Sequence, residues 1–177
     1  MVVIRWCIKC SINWHKFIQM KIGKYLTLQE CIKSDTAIRK GIVNVPQGRE
    51  VQAMIKLCAW LYDDVSEHFN CKIPVTSFYR TIKLNRAIGG APTSQHMRGE
   101  AIDLDCDTLT SGLTNKIIFN YIKNNLTFDQ LIWEYGDDKK PDWVHCSISF
   151  EGEQRMQVLR TYNVKGKKSC IPWVNSN

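Results

Sequence analysis

No stretch of this 177-residue chain approaches the ~18 consecutive apolar residues of a membrane-spanning helix, so a helical span is excluded. Met1 to Ile18 has apolar residues but is broken by Arg5, Lys9, Asn13, His15 and Lys16, and it lacks a small-residue cleavage site. A secretory leader is therefore not expected. Internal repeats and low-complexity tracts are also missing, which removes solenoid and fibrous architectures. Acidic residues are in deficit, 17 against 24 Lys and Arg, giving a net charge of +7 and a pI near 9.0. Such a surface favours anionic partners: nucleic acid, an acidic cell-wall polymer or an anionic membrane. The basic residues are spread from Arg5 to Lys168 without a stripe, a reading helix or interleaved aromatics, so no nucleic-acid partner is expected.

Eight cysteines are present, but their spacing is irregular and several lie in apolar runs. A chain of this length needs no staples, so free buried thiols are expected rather than a disulfide scaffold. Cys7-x-x-Cys10 has no second ligand pair at zinc-finger spacing. Length and a hydrophobic fraction of 44% fit one globular domain, expected as a monomer. We expect residues 1–19 as an N-terminal appendage, a compact domain over 20–150, and a C-terminal extension over 151–177.

Thr27-Leu-Gln-Glu30 has the form of a capping box opening a short helix. From Arg49 to Phe69, Val51, Met54, Ile55, Cys58, Leu61, Tyr62 and Val65 recur at intervals of three and four, an amphipathic helix. His68 at its end suits the helix dipole better than a ligand role. Ile73 to Ser77 reads as a strand that delivers Phe78-Tyr79-Arg80. Leu84 to Ile88 reads as a helical turn, and Gly89-Gly90-Ala-Pro92 as a loop. A second helix runs to about Asn125, capped by Thr110 or Ser111. Asp129–Tyr135 and Trp143–Phe150 read as two strands joined by a polar loop that permits antiparallel pairing. In the second of these, Trp143, His145 and Ser147 share one face and Val144, Cys146 and Ile148 the other. Residues after 151 are expected to begin with a few helical turns and end as a loosely held tail. The fold class expected is α+β, a small antiparallel sheet with packed helices.

The chemistry concentrates in Ser94-Gln-His96-Met-Arg-Gly99-Glu-Ala101-Ile-Asp103 and in Asp142-Trp-Val-His145. His96 and Asp103 stand seven apart, with Gly99 between them for a turn or close approach, and Ala101 to Asp105 alternates as a strand would. Two imidazoles and a carboxylate are ligands that zinc accepts, and three protein ligands mark a catalytic rather than a structural zinc site. Spacing alone also permits each residue to be an ordinary satisfied polar group.

The run Ser94-x-His96-x-x-Gly99-x-Ala101-x-Asp103, followed by Trp143-Val-His145, resembles the zinc D-Ala-D-Ala carboxypeptidase family. Within it, the chain looks most like phage-type endolysins that cut L-alanyl-D-glutamate or D-Ala bonds. The resemblance extends over roughly residues 21 to 150, through Leu26-Thr-Leu-Gln-Glu30, Ser77-Phe-Tyr-Arg80, Asn85-Arg-Ala-Ile-Gly-Gly90 and Asp129-Gln-Leu-Ile-Trp-Glu134. It implies a hedgehog/DD-peptidase-like fold and a zinc metallopeptidase acting on bacterial peptidoglycan. It also implies His96, Asp103 and His145 as zinc ligands, Asp142 as general base, Arg80 as substrate anchor or oxyanion stabiliser, and Ser94 as a substrate contact. Glu134 is a rival base. Asp105 and Asp107 are read as solvated or capping groups, and Trp133 and Trp143 as candidates to wall the cleft. Trp143 stands where carboxypeptidase members with an H-x-H ending have histidine, which favours endopeptidase chemistry. A lysin made in the cytoplasm and released to the wall by another protein needs no leader. The alternatives are a non-catalytic zinc-binding module of the same fold, which would lack the base or the arginine, and a basic nucleic-acid-binding protein.

Overall fold

The computed structural model describes residues 14–107, 109, 112–164 and 167–173. Its helices are α1 (Trp14–Ile18), α2 (Leu28–Cys31), α3 (Asp35–Arg39), α4 (Gly48–Leu57), α5 (Asp63–His68), α6 (Ile82–Ala87) and α7 (Asn115–Asn125). The strands are β1 (Val75–Ser77), β2 (Ala101–Leu104), β3 (Gln130–Glu134), β4 (Trp143–Ser147), β5 (Gln157–Val164) and β6 (Lys167–Pro172).

The long amphipathic stretch is realised as α4 and α5 joined by a π-helical segment, Cys58–Tyr62. Met54, Leu57, Cys58, Leu61, Tyr62 and Val65 bury completely, and the Tyr62 hydroxyl donates to Ile73 O at 2.7 Å. A phenol sunk that deeply needs such an acceptor, because an unpaired buried hydroxyl is costly. At α2 the capping box forms as read, with Glu30 accepting from Thr27 N at 2.9 Å. The cap of α7 is Thr114, whose hydroxyl accepts from Ile117 N at 3.3 Å. Thr110 and Ser111, the expected caps, lie outside the described residues.

The six strands form one sheet in the order β1-β2-β4-β3-β5-β6, antiparallel throughout except for β3 and β5. The parallel pair follows from the path of the chain. β4 ends at Ser147 opposite Gln130, the first residue of β3, and after residues 148–156 the chain re-enters at Gln157, again beside Gln130. Starting from the same end as β3, β5 has to run with it. Two strands, Gln157–Val164 and Lys167–Pro172, therefore stand where helical turns and a loose tail are expected, and residues 174–177 of that tail lie outside the described residues. Main-chain pairing from Leu159↔Pro172 to Val164↔Lys167 holds the two strands. Trp173 packs its ring 4.8 Å from that of Trp133, so apolar contact secures the end of the hairpin as well.

Strand alternation divides the sheet into two faces. Ile102, Leu104, Leu131, Trp133, Val144 and Cys146 enter the core with the π-helical segment, α5 and Ile118, Phe119 and Ile122 of α7. The opposite face carries Asp103 opposite His145, His145 opposite Ile132, and Glu134 opposite Trp143. Trp133 is thus a core residue, not a cleft wall. Cys71 and Cys170 are free but not buried, contrary to expectation, whereas Cys31, Cys58, Cys106 and Cys146 are buried free thiols, and burial raises these four above the ordinary thiol range, Cys106 to about 12. They pack as small apolar groups with no thiolate at neutral pH. Cys7 and Cys10 lie outside the described residues. Among the described residues, no helix is long and apolar enough to cross a membrane.

Candidate metal centre

His96 sits in a 3-10 turn, Gln95–Arg98, which ends at Gly99 in the left-handed region with φ 71°. A Cβ at Gly99 would lie 2.5 Å from Glu50 O and 3.0 Å from the Met54 side chain, on α4. Both the turn and the close approach therefore require glycine. Gly99→Ala is expected to cost about 2–4 kcal/mol, combining positive-φ strain with overpacking against backbone. A thermal melt checks this, and an unchanged midpoint would contradict the geometry.

Asp103 comes from β2 and His145 from β4, paired directly across the sheet. His96 Nε2 lies 3.2 Å from Asp103 Oδ1 and 3.2 Å from His145 Nδ1, and His145 Nδ1 lies 2.9 Å from Asp103 Oδ1. Tetrahedral zinc with nitrogen and oxygen ligands at about 2.0–2.1 Å has ligand-to-ligand edges of about 3.3–3.4 Å. The triangle is already close to that size, and all three residues are buried. Two features fit the donors to a cation. His96 Nδ1 lies 2.6 Å from Phe78 O, which can only accept, so the proton is on Nδ1 and the Nε2 lone pair faces the centre. Burial holds the His96 imidazole below its ordinary pKa, outweighing the raising effect of Asp103. Burial alone would raise Asp103, but the neighbouring imidazoles of His96 and His145 hold it well below the carboxylate range. A neutral imidazole beside a carboxylate is what a divalent metal binds.

Arg80 follows β1, donating from Nε to Ser77 Oγ at 2.8 Å and from an Nη to Asp103 Oδ2 at 2.6 Å. It thereby orients Oδ1 toward the histidines, a positioning task that the motif did not reveal, and it still lines the cleft. The 3-10 turn and the Phe78–Arg80 segment are tied twice, since Arg80 N also donates to His96 O at 3.2 Å. Ser94 opens the turn, half-buried, and lines the same cleft of about 430 Å³, as does Trp143.

Asp142 stands one residue before β4, exposed and outside the residues that line the cleft, and its carboxylate has no hydrogen-bond partner among the described residues. Its backbone is firmly held: Asp142 N donates to Glu134 O at 2.9 Å, and Asp142 O accepts from Asn115 Nδ2 at 2.9 Å. Glu134 lines the cleft, but both its oxygens are engaged, by Thr161 Oγ1 at 2.7 Å and Lys168 Nζ at 2.9 Å. Asp105 accepts from Asp107 N and Asn115, and Asp107 pairs with Lys140, so neither enters the cleft. His68, at the end of α5, is exposed and stacks on Tyr121 with centroids 3.9 Å apart.

Three residues escaped the sequence reading. Fully buried Asn115 joins the exit of β2 to the entry of β4, accepting from Cys106 N at 2.7 Å and donating to Pro141 O and Asp142 O. Buried Gln95 donates to Asp129 at 2.9 Å, and Asp129 in turn accepts from Arg155, which steadies the turn that carries His96. Lys168 enters the cleft from β6. The only sequence signal for Asn115 was an amide in the first turn of a helix, and neither Gln95 nor Lys168 had any.

Three buried side chains that could hold a metal ion, at the edge of an open cleft, fit a centre of the hydrolytic zinc type. The sequence profile of the peptidase M15 family matches residues 24–147, and the chain belongs to that family, the zinc D-Ala-D-Ala carboxypeptidases. Its members are zinc-dependent peptidases that act on peptidoglycan. The six-stranded α+β fold agrees with that membership. No curated protein matches the chain by sequence.

Proposed function

We propose that this protein is a peptidoglycan endopeptidase cutting an L-Ala-D-Glu or D-Ala bond, with His96, Asp103 and His145 as its zinc ligands. The observation that carries the reading is the buried triangle of ligand atoms with edges of 2.9–3.2 Å beside a substrate-sized cleft. Zinc held there supplies a Lewis acid and makes hydroxide available near neutral pH. Asp142 serves as general base, taking a proton during attack and passing it to the leaving amine. Glu134 is the one of the two that lines the cleft, but its oxygens are both occupied; the free carboxylate of Asp142 and its place three residues before His145 support Asp142 in that role. Arg80, with one nitrogen committed to Asp103, receives the developing oxyanion through its remaining N–H groups. Ser94 hydrogen-bonds the substrate beside His96.

Cutting within a polymer, rather than trimming a free end, is supported by the shape of the groove. Thr93, Gln95 and Gln130 line both the 430 Å³ cleft and an adjoining polar cavity of about 470 Å³, so the trough continues past the triad. A net charge of +7 supports attachment to anionic wall polymers. Mass spectrometry of fragments released from defined peptidoglycan tests the proposal. New termini inside cross-linked or uncross-linked stems are expected, and release of terminal D-Ala alone would overturn the endopeptidase reading.

A further inference from the structure

At the end of the cleft beyond His145, a lysine and a glutamate form a pair whose two members differ sharply in exposure. The Lys168 side chain is 51% exposed, while its partner Glu134 is 4% exposed. Glu134 Oε1 accepts from Lys168 and Oε2 from Thr161, so the carboxylate is sealed beneath the wall with a partner on each oxygen. The ammonium has three donors and gives one to Glu134. What this wall presents to a ligand is therefore a cation, although the pair is formally neutral.

The cation is also held in position. Lys168 Nζ lies 5.7 Å from the centre of the Tyr135 ring, and that ring packs 5.3 Å from Trp143. Tyr135 has φ 51°, a region that disfavours bulky side chains, and its N–H donates to Thr161 Oγ1 at 2.9 Å. Thr161 thus secures both the carboxylate that holds the lysine and the backbone of the aromatic residue beneath it. Backbone strain of this kind persists only where the surroundings enforce it. Thr161 and Lys168 belong to the β5–β6 hairpin, which lies beyond residues 24–147.

We infer that Lys168 is a specificity-determining residue that receives a substrate carboxylate remote from the scissile bond, with Tyr135 and Trp143 as the apolar wall beside it. This rests on the proposed peptidase reading for its substrate class, the acidic stem peptide. The β5–β6 hairpin then selects the peptide, while the matched residues perform the chemistry.

The test uses the full chain and two stem peptides that differ only in whether their side carboxylates are free or amidated. Binding is measured by calorimetry on His96→Ala protein, which removes turnover, and kcat and KM are measured on protein with His96 intact. Tighter binding of the free acid by about tenfold is expected, the size of one charge-assisted hydrogen bond. Lys168→Gln should abolish that preference through KM with kcat nearly unchanged, and Lys168→Arg should keep it. Equal binding of the two peptides, or equal weakening of both by Lys168→Gln, overturns the assignment. If Lys168→Gln fails to fold, the two-peptide comparison on Lys168→Arg and on the unsubstituted residue still decides. A preference for the free acid without any cleavage upholds the subsite and defeats the peptidase reading.

Discussion

A His96→Ala protein is expected to purify with less than about a tenth of the zinc found in the unaltered chain, and to lose hydrolysis of peptidoglycan accordingly. Outer partners of metal ligands alone cost about 10–100-fold in affinity or activity, and His96 is argued to be a ligand itself. Two physical reasons make the effect large. The Nε2 lone pair supplies one of three corners of the ligand triangle, and the Phe78 carbonyl fixes it there through the opposite nitrogen. Removing the imidazole leaves Asp103 and His145, a pair with too few ligands to compete with water for the ion. Zinc binding is also coupled to stability. At about 100 times its dissociation constant a ligand stabilises the folded state by ~2.7 kcal/mol. Adding zinc should therefore raise the melting temperature of the unaltered protein but not of the variant. Metal analysis and melts with and without zinc check this, and stoichiometric zinc in His96→Ala would remove the residue from the ligand set.

Asp142→Ala is expected to keep its zinc and its melting temperature while kcat falls by about 10²–10⁴, the range for loss of a positioned general base. The separation of binding from turnover follows from the geometry. The Asp142 carboxylate is exposed and makes no bond that supports the fold, so deleting it leaves the ligand triangle intact. Its main chain is pinned between Glu134 O and the Asn115 amide, so the substitution leaves the backbone before β4 in place. Glu134→Gln should behave differently. That carboxylate anchors Thr161 and Lys168, so its loss should lower stability and alter KM as well as turnover. Full activity in Asp142→Ala together with a kcat-only defect in Glu134→Gln would transfer the role to Glu134.

The candidate ligand group was legible through the family motif its residues carry, since spacing alone leaves each of them free to be an ordinary polar group, and local pattern then agrees with the motif. His96 and Asp103 are separated by one turn and one glycine, and the two-residue period of a strand assigns His145 to the face opposite Val144 and Cys146. The same reasoning found the helix from Arg49 to Phe69, but not the π-helical segment at Cys58–Tyr62, since one extra residue per turn leaves the hydrophobic spacing nearly unchanged. Arg80 was expected to contact substrate, and its bond to Asp103 depends on the Ser77↔Asp103 register, which no local pattern encodes. The C-terminal segment misled for a related reason. Gly166-Lys-Lys-Ser is polar and turn-like, and what orders the strand around it is pairing with β5 and the packing of Trp173 on Trp133.

By itself the sequence determined the α+β class and, through its likeness to a family motif, which three residues stand as candidate metal ligands; it also pointed to the burial of Cys31, Cys58, Cys106 and Cys146, though not to the accessibility of Cys71 and Cys170. Only the tertiary structure decided that Asn115 holds the strand carrying His145, that Glu134 is sealed by Thr161, and that Lys168 reaches the cleft. Those contacts join residues 26 to 34 positions apart, as in Asn115 to Pro141 and Glu134 to Lys168. Chain separation of that order is closed by sheet pairing and core burial, and neither leaves a mark in any one stretch of sequence.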